Sequence, residues 1–352
     1  MGQEQLAFQQ AMRLCENQFS DRVLLSAERN VWPAAQWAAL EEFGFSRALA
    51  GEEREGVELP KAEALGLVRL GGLFAIPLPI WETMLANWLL AKGTLSREAG
   101  ATTVAPIHPH EVLALVRSGK RWRLRGVAHR VPWGADATLV AVAKGEGERW
   151  HIVRLKSGLV RAERGSSIAG EPRDTLTLDI EVPREAVGEL PLTWDQTSLL
   201  IAGAALRIVA IAGALQRILE ITVNYTKERM QFGRPIGRFQ AVQQSVARLA
   251  GEVAAATAAS DLAISAFDES SASQRIAVAK IRAGEAASIG AAIAHQVHGA
   301  IGFTKEYRLN FFTRRLWSWR DEFGGEAFWS AHMGRVAAAT GADALWPMIV
   351  RL

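Results

Sequence analysis

Tyr225-Thr226-Lys227-Glu228-Arg229-Met230-Gln231-Phe232-Gly233-Arg234-Pro235-Ile236-Gly237 leads into Arg238-Phe239-Gln240-Ala241-Val242-Gln243-Gln244 and then Ser245-Val246-Ala247-Arg248-Leu249-Ala250-Gly251. The reading of the chain turns on this stretch. A long apolar helix feeds into it. Gly233, Pro235 and Gly237 break that helix within a few residues, because proline lacks the N–H donor and glycine is conformationally permissive. A second amphipathic helix leaves it. The corner presents Arg229, Gln231, Phe232 and Gln240 from two rigid helix ends. A guanidinium and two amides so placed suit a phosphate or a polar heterocycle. An arginine beside the last carbonyls of an ordinary helix C-terminus gives the same local pattern.

Outward from this corner, the 352 residues are 49% hydrophobic and 22% charged. That supplies material for two or three compact domains. The formal net charge of +3 suits an anionic ligand. With no concentrated Lys/Arg tract, it gives no case for nucleic acid. Cys15 is the only cysteine, so no intramolecular disulfide forms and no cysteine zinc pattern exists. Residues 1–10 are polar and amphipathic, unlike a signal peptide. The most apolar stretch, Leu199 to Leu215, is interrupted by Arg207 and is short for a membrane span. A cytoplasmic protein is the expectation.

Three regions follow from the periodicity. Residues 1–92 read as helices, with stops at Gly44 and at Pro77 and Pro79; Lys61 to Leu73 and Ile80 to Ala91 are two of them. The acidic run from Gly51 to Glu58 reads as a solvated loop. Residues 93–190 read as strands. Arg121 to Arg125 and Thr175 to Glu181 alternate with period two, Leu139 to Ala143 and His151 to Leu155 are short apolar runs, and glycines punctuate them. Residues 191–352 are helical again: one helix from Leu199 to about Lys227, another from Phe239 to Phe267, a turn from Asp268 to Ser273, and a third from Gln274 to His298. The expected fold is α+β and mainly α: an N-terminal helical domain, a small central β-barrel or sandwich, and a C-terminal four-helix bundle.

Several short patterns carry no chemistry. His108-Pro109-His110-Glu111 is too closely spaced and proline-broken for a helical zinc site. Gly165-Ser166-Ser167-Ile168-Ala169 lacks the second glycine of a nucleophile elbow. His295 and His298 sit three apart without a third ligand of convincing spacing, so no metal is expected. Arg121, Arg123 and Arg125 share one strand face, which reads as solvated.

The spacing Tyr225-x-x-x-Arg229-x-Gln231-Phe232-Gly233-x-Pro235-Ile236, then Phe239-Gln240-x-x-Gln243, resembles the acyl-CoA dehydrogenases. A second match lies at Gln296-Val297-His298-Gly299-Ala300-Ile301-Gly302-Phe303, where the family pattern is Gln-x-x-Gly-Gly-x-Gly-Phe. The resemblance implies a three-part fold and FAD as cofactor. It implies an acyl-CoA substrate oxidised to a 2-enoyl-CoA, with electrons passed to an electron-transfer flavoprotein. It also implies a homodimer or homotetramer, or a heteromer with a second acyl-CoA dehydrogenase chain. The flavin diphosphate contacts carry over to Arg229, Gln231, Phe232 and Gln240, and those to a neighbouring subunit's cofactor to Gln296, Gly299 and Ala300. Ala300 stands where the family has its second glycine.

The resemblance departs in the middle region. Residues 94–107 do not read as the family's Thr-Glu-x-x-x-Gly-Ser loop. Arg130-Val131-Pro132 stands where a Trp-Ile-Thr segment touches the flavin ring, and Pro132 has no N–H to offer it. The family's base is a glutamate in a Tyr-Glu-Gly-Thr turn. Here the turn reads Arg320-Asp321-Glu322-Phe323-Gly324-Gly325-Glu326, which puts Phe323 at the base position. Glu322, with Asp321 behind it, is then the candidate base, swung on the two glycines. The same acids also read as a solvated turn. A base on the long helix, used by some members, would fall at Gly203 and is absent. Three readings stand open: an FAD-dependent acyl-CoA dehydrogenase, a non-catalytic or half-site subunit of a heteromer, and a flavin oxidase or monooxygenase on the same fold.

Overall fold

A computed structural model describes residues 3–51, 59–119, 121–269, 272–350 and 352. The acidic run at 52–58 lies outside the described residues, as do 270 and 271 of the expected turn. The chain is α+β and mainly α. Five helices come first: α1 (Gln3–Gln18), α2 (Asp21–Glu28), α3 (Ala34–Phe43), α4 (Lys61–Leu73) and α5 (Ile80–Lys92). Eight strands follow: β1 (Thr102–Ala105), β2 (Leu113–Ser118), β3 (Arg121–Pro132), β4 (Thr138–Lys144), β5 (Trp150–Leu155), β6 (Arg161–Glu163), β7 (Arg173–Val182) and β8 (Val187–Glu189). Then come α6 (Ser198–Glu228), the ribbon strands β9 (Met230–Gln231) and β10 (Arg234–Pro235), α7 (Gln240–Ala266), α8 (Ala272–His298), α9 (Leu309–Trp319), α10 (Glu326–Thr340) and α11 (Ala342–Val350).

Contacts divide the described residues into two compact units. One draws on 1–14, 26–67 and 77–203, the other on 15–25, 68–76 and 204–352. In the first unit the eight strands form one hydrogen-bonded sheet in the order β6-β7-β3-β2-β4-β5-β8, with β1 parallel to β4. One apolar cluster takes Leu113, Leu124, Val131, Leu139, Val153 and Leu176 from five of these strands, so the sheet curls around a single core. Alternation is clear in β2 and β7, which have one wet face. It is lost in β4, whose Leu139 to Ala143 are all buried on both faces. The arginines of β3 do lie on a solvated face: Arg123 and Arg125 both reach Asp179, at 2.6 and 3.1 Å. Thr83 ties α5 to β1, its hydroxyl donating to the Thr102 carbonyl and accepting from the Thr102 N–H.

The second unit is helical. Its organising element is α6, in which residues 204–215 are all buried. Two glycines let α6 touch the end of α4. A Cβ on Gly213 would lie 2.0 Å from the Arg69 carbonyl oxygen, and one on Gly72 would lie 1.9 Å from that of Ala210. Only hydrogen fits at either place. By length and composition α6 would also cross a membrane, but 89% of its apolar window is buried inside the protein. The helices α7 and α8 pack along their lengths, and α10 lies on α8.

Candidate functional site

The corner after α6 is a small β-ribbon. Gln231 pairs with Arg234 and Met230 with Pro235, and the Ile236 N–H donates to the Arg229 carbonyl at 2.8 Å. Phe232 and Gly233 form its two-residue tip with φ of +50° and +76°. A left-handed pair at both tip positions matches the twist of a tight hairpin. Phe232 pays for this geometry with strain and is 91% exposed. Phe239 lies edge-on to it at 6.0 Å. Arg229, Gln231 and Gln240 are exposed. Arg229, Arg234 and Arg238 fall within ten residues and no acid interrupts them. Arg229 makes no ion pair among the described residues.

The second motif closes α8. Gln296, Gly299 and Ala300 are exposed, Gly299 has φ +66°, and a Cβ there would meet nothing. Glycine at 299 therefore serves backbone conformation, not crowding. The Ala300 methyl faces outward and strains nothing within the chain. Tyr225 stacks on His298 at 4.4 Å, and its hydroxyl donates to the His298 carbonyl at 3.3 Å. Tyr225 lies one helical turn before Arg229. The two motifs, read apart in the sequence, thus meet through Tyr225 and His298. The backbone N–H groups, amides and unpaired guanidinium of this corner are the donor set an anionic diphosphate requires.

The turn with the candidate base is built differently. Glu322 is buried, and its carboxylate accepts from Arg207 Nε at 2.7 Å; both side chains are 5% exposed or less. Lys280 of α8 is buried and donates to the Trp319 and Arg320 carbonyls. Trp329 Nε1 donates to the Phe323 and Gly324 carbonyls, both at 3.1 Å. Phe323 has φ +54°, is buried, and lies beneath the Arg207 guanidinium at 5.6 Å. Asp321 is exposed beside Arg320. So the structure places Glu322 in a buried pair on a turn held by α6, α8 and α10, where the two glycines suggested a swinging carboxylate. Arg207 lies on α6 and Arg229 directly follows its end at Glu228, 22 residues on, ~33 Å along a helix at 1.5 Å per residue. The base turn and the arginine corner belong to opposite ends of that helix.

Sequence reasoning missed Lys280 and treated Arg207 only as an interruption. A lysine in the alanine-rich run of α8 and an arginine in the apolar run of α6 were the signals. A charge on a wholly apolar face needs a partner.

In the sheet, Arg130 has φ +56° and is exposed, in an irregularity of the β3–β7 pairing between Ala128 and Val131. Val131 and Pro132 are buried, and the Pro132 carbonyl accepts from the Thr103 hydroxyl at 2.6 Å. This segment projects Arg130 outward and withholds Pro132. His129, next to it, pairs with Glu111.

Comparison with known proteins adds three findings. Residues 194–320 match the family profile of the acyl-CoA dehydrogenase C-terminal domain. The chain is similar to the acyl-CoA dehydrogenase IpdE2 of Mycolicibacterium smegmatis, 33% identical over 149 residues, 42% of this chain and 47% of the relative. It is similar to the glutaryl-CoA dehydrogenase of Desulfococcus multivorans, 36% identical over 151 residues, 41% of this chain and 38% of the relative. These matches span less than half of either relative. Among solved structures it is similar to a chain of the ChsE4–ChsE5 complex from Mycobacterium tuberculosis, with TM-score 0.87, 21% identity, and 97% and 99% of the two chains covered. It is also similar to a chain of the Tcur3481–Tcur3483 steroid enzyme, with TM-score 0.84, 23% identity, and 96% and 98% covered.

Proposed function

We propose that this chain, whose residues 194–320 match the acyl-CoA dehydrogenase C-terminal domain, is the FAD-binding half-site subunit of a heteromeric acyl-CoA-oxidising enzyme, its catalytic base supplied by a second chain. One observation carries the reading: the only carboxylate next to the base position, Glu322, is pinned in a buried pair with Arg207, and Phe323 occupies the position itself. A general base must first reach the proton it takes. A carboxylate that satisfies a buried guanidinium is held away from that task, and drawing it off would break a buried ion pair.

FAD, when bound, supplies the acceptor for the hydride leaving the β carbon of the acyl group. Arg229, Gln231 and Gln240 would hold its diphosphate by charge-assisted and amide hydrogen bonds, and the Gln296 to Ala300 turn would offer backbone N–H groups to a neighbouring subunit's cofactor. These groups bind and orient; none of them moves a proton. Solved complexes that name two different chains, ChsE4–ChsE5 and Tcur3481–Tcur3483, support the heteromeric form. The onward acceptor in this proposal is an electron-transfer flavoprotein.

Anaerobic bleaching of the flavin by an acyl-CoA tests the proposal. The chain alone is expected to bind FAD without bleaching, and the complex with its co-purifying partner to bleach. Glu322→Gln, nearly isosteric, should leave the rate in the complex within about 2-fold, because the side chain that takes the proton lies elsewhere. Bleaching by the chain alone, slowed ~10²-fold or more in Glu322→Gln, would make Glu322 the base and this chain a complete dehydrogenase. Arg229→Ala is expected to weaken FAD binding about 10-fold or more, the loss of a charge-assisted bond of ~1.5–3 kcal/mol. Equilibrium dialysis of FAD against the two proteins reads it, and equal affinities would remove Arg229 from the site.

A further inference from the structure

The turn that closes α8 rests on two histidines that the family pattern does not explain. His298 Nδ1 lies 2.7 Å from the Ala294 carbonyl, which only accepts, so Nδ1 carries the ring proton. Its Nε2 is then a bare acceptor, buried and without a hydrogen-bond partner among the described residues. His295 is fixed the other way. Its Nε2 is 3.0 Å from the Thr313 hydroxyl, whose own hydrogen goes to the Leu309 carbonyl at 3.3 Å. With that hydrogen given to Leu309, Nε2 donates, and the buried Nδ1 is left bare among the described residues. The rings are stacked. Phe303 lies on His295 at 4.2 Å with Trp317 at 5.6 Å, and Tyr225 lies on His298 with Tyr307 at 5.3 Å. Gly302 closes the space: a Cβ there would sit 3.2 Å from His295 Nδ1 and 3.1 Å from His298 Cβ. His295 is 6% exposed and His298 4%.

We propose that His295 and His298 are positioning residues for the cofactor-holding turn, which keeps its shape, and with it the FAD diphosphate, only while both rings are neutral. This rests on the FAD reading above. Protonation would place an N–H at His298 Nε2 among tyrosine rings and another at His295 Nδ1 against Gly302. Neither finds an acceptor among the described residues, and a buried donor left unpaired opposes the closed arrangement. Among the described residues, Tyr225 of α6 and Tyr307 before α9 lie against His298, His298 acts on His295, and Glu228 and Arg308 act in turn on Tyr307. Glu228 acts on the Tyr307 hydroxyl and is not among the groups that shift either histidine. Burial lowers the pKa of both rings, and the neighbouring His298 lowers that of His295 further. A depressed histidine binds its proton first in the open form. The closed turn therefore loses stability as pH falls through the ordinary histidine range, and is favoured above it.

Two measurements decide the matter. On the apo-protein, long-range proton–nitrogen-15 NMR of the rings at pH 7.5 should show His298 as the Nδ1–H tautomer and His295 as the Nε2–H tautomer; a cationic ring or the opposite tautomers would overturn the proposal. FAD affinity of the wild type should fall at least 10-fold from pH 7.5 to pH 5, and that of His295→Phe/His298→Phe, which keeps the stacks, by less than 2-fold. Parallel pH profiles for the two proteins, or tighter binding at pH 5 in the wild type, would overturn it. A wild-type chain that takes up no FAD at either pH overturns instead the cofactor reading on which it depends.

Discussion

Arg207→Leu is expected to lower the free energy of unfolding by ~3–5 kcal/mol, the cost of removing one member of a buried ion pair. The Arg207 and Glu322 side chains meet at 2.7 Å with almost no water contact. The double variant Arg207→Leu/Glu322→Leu should regain most of the loss, because two packed leucines have no charge to desolvate. Urea midpoints of the wild type, both single variants and the double variant close the cycle. A single-variant loss below ~1 kcal/mol would reduce the pair to the standing of a surface ion pair. It would also remove the reason for holding Glu322 away from chemistry, so this cycle bears on the function as well as on the fold.

Lys280→Met is expected to flatten the alkaline stability profile. Burial is the largest cause that pushes the Lys280 ammonium down to about 7 from 10.5; Glu322 and Asp321 pull against it, and Arg207 adds to it. Between those two values the unfolded chain keeps a proton that the folded chain has released. Stability therefore rises with pH across this window, by ~1 kcal/mol per pH unit, and the full penalty is present below it. Methionine has no proton to lose. The difference in unfolding free energy, wild type minus variant, should climb from pH 7 to pH 10. A constant difference would show that Lys280 stays charged throughout. The variant also leaves the Trp319 and Arg320 carbonyls without their donor, so a pH-independent loss is expected on top of the slope.

Much of the architecture was legible because local chemistry wrote it. The helix limits at Lys61–Leu73 and at α6, and the left-handed Gly44 that stops α3, follow from caps, breakers and apolar spacing. Strands with one wet face, such as β7, announce themselves by alternation. The four-residue β1 and the three-residue β6 and β8 were not read, because so short a run carries no period. The expected start of α8 at Gln274 falls two residues late, since Ala272 and Ser273 carry no breaker. Phe232 and the Gln296 to Ala300 run were visible because each includes or adjoins a glycine that turns the chain, and Arg229 because it stands four residues before Gly233.

The sequence by itself determined the order of helical and strand regions, the arginine-rich corner after α6 and the glycine turn after α8. Each of these is set by neighbours a few residues away. Only the tertiary structure decided what the acidic turn does. Glu322 meets Arg207 across 115 positions and Lys280 reaches the Trp319 carbonyl across 39. Whether a carboxylate is a free base or half of a buried pair depends on such distant partners and on the water they exclude. The histidine tautomers were decided in the same way. Spacing puts His295 and His298 on one helix. The Thr313 hydroxyl of α9 fixes the first ring from outside that helix, and the Ala294 carbonyl fixes the second from within it.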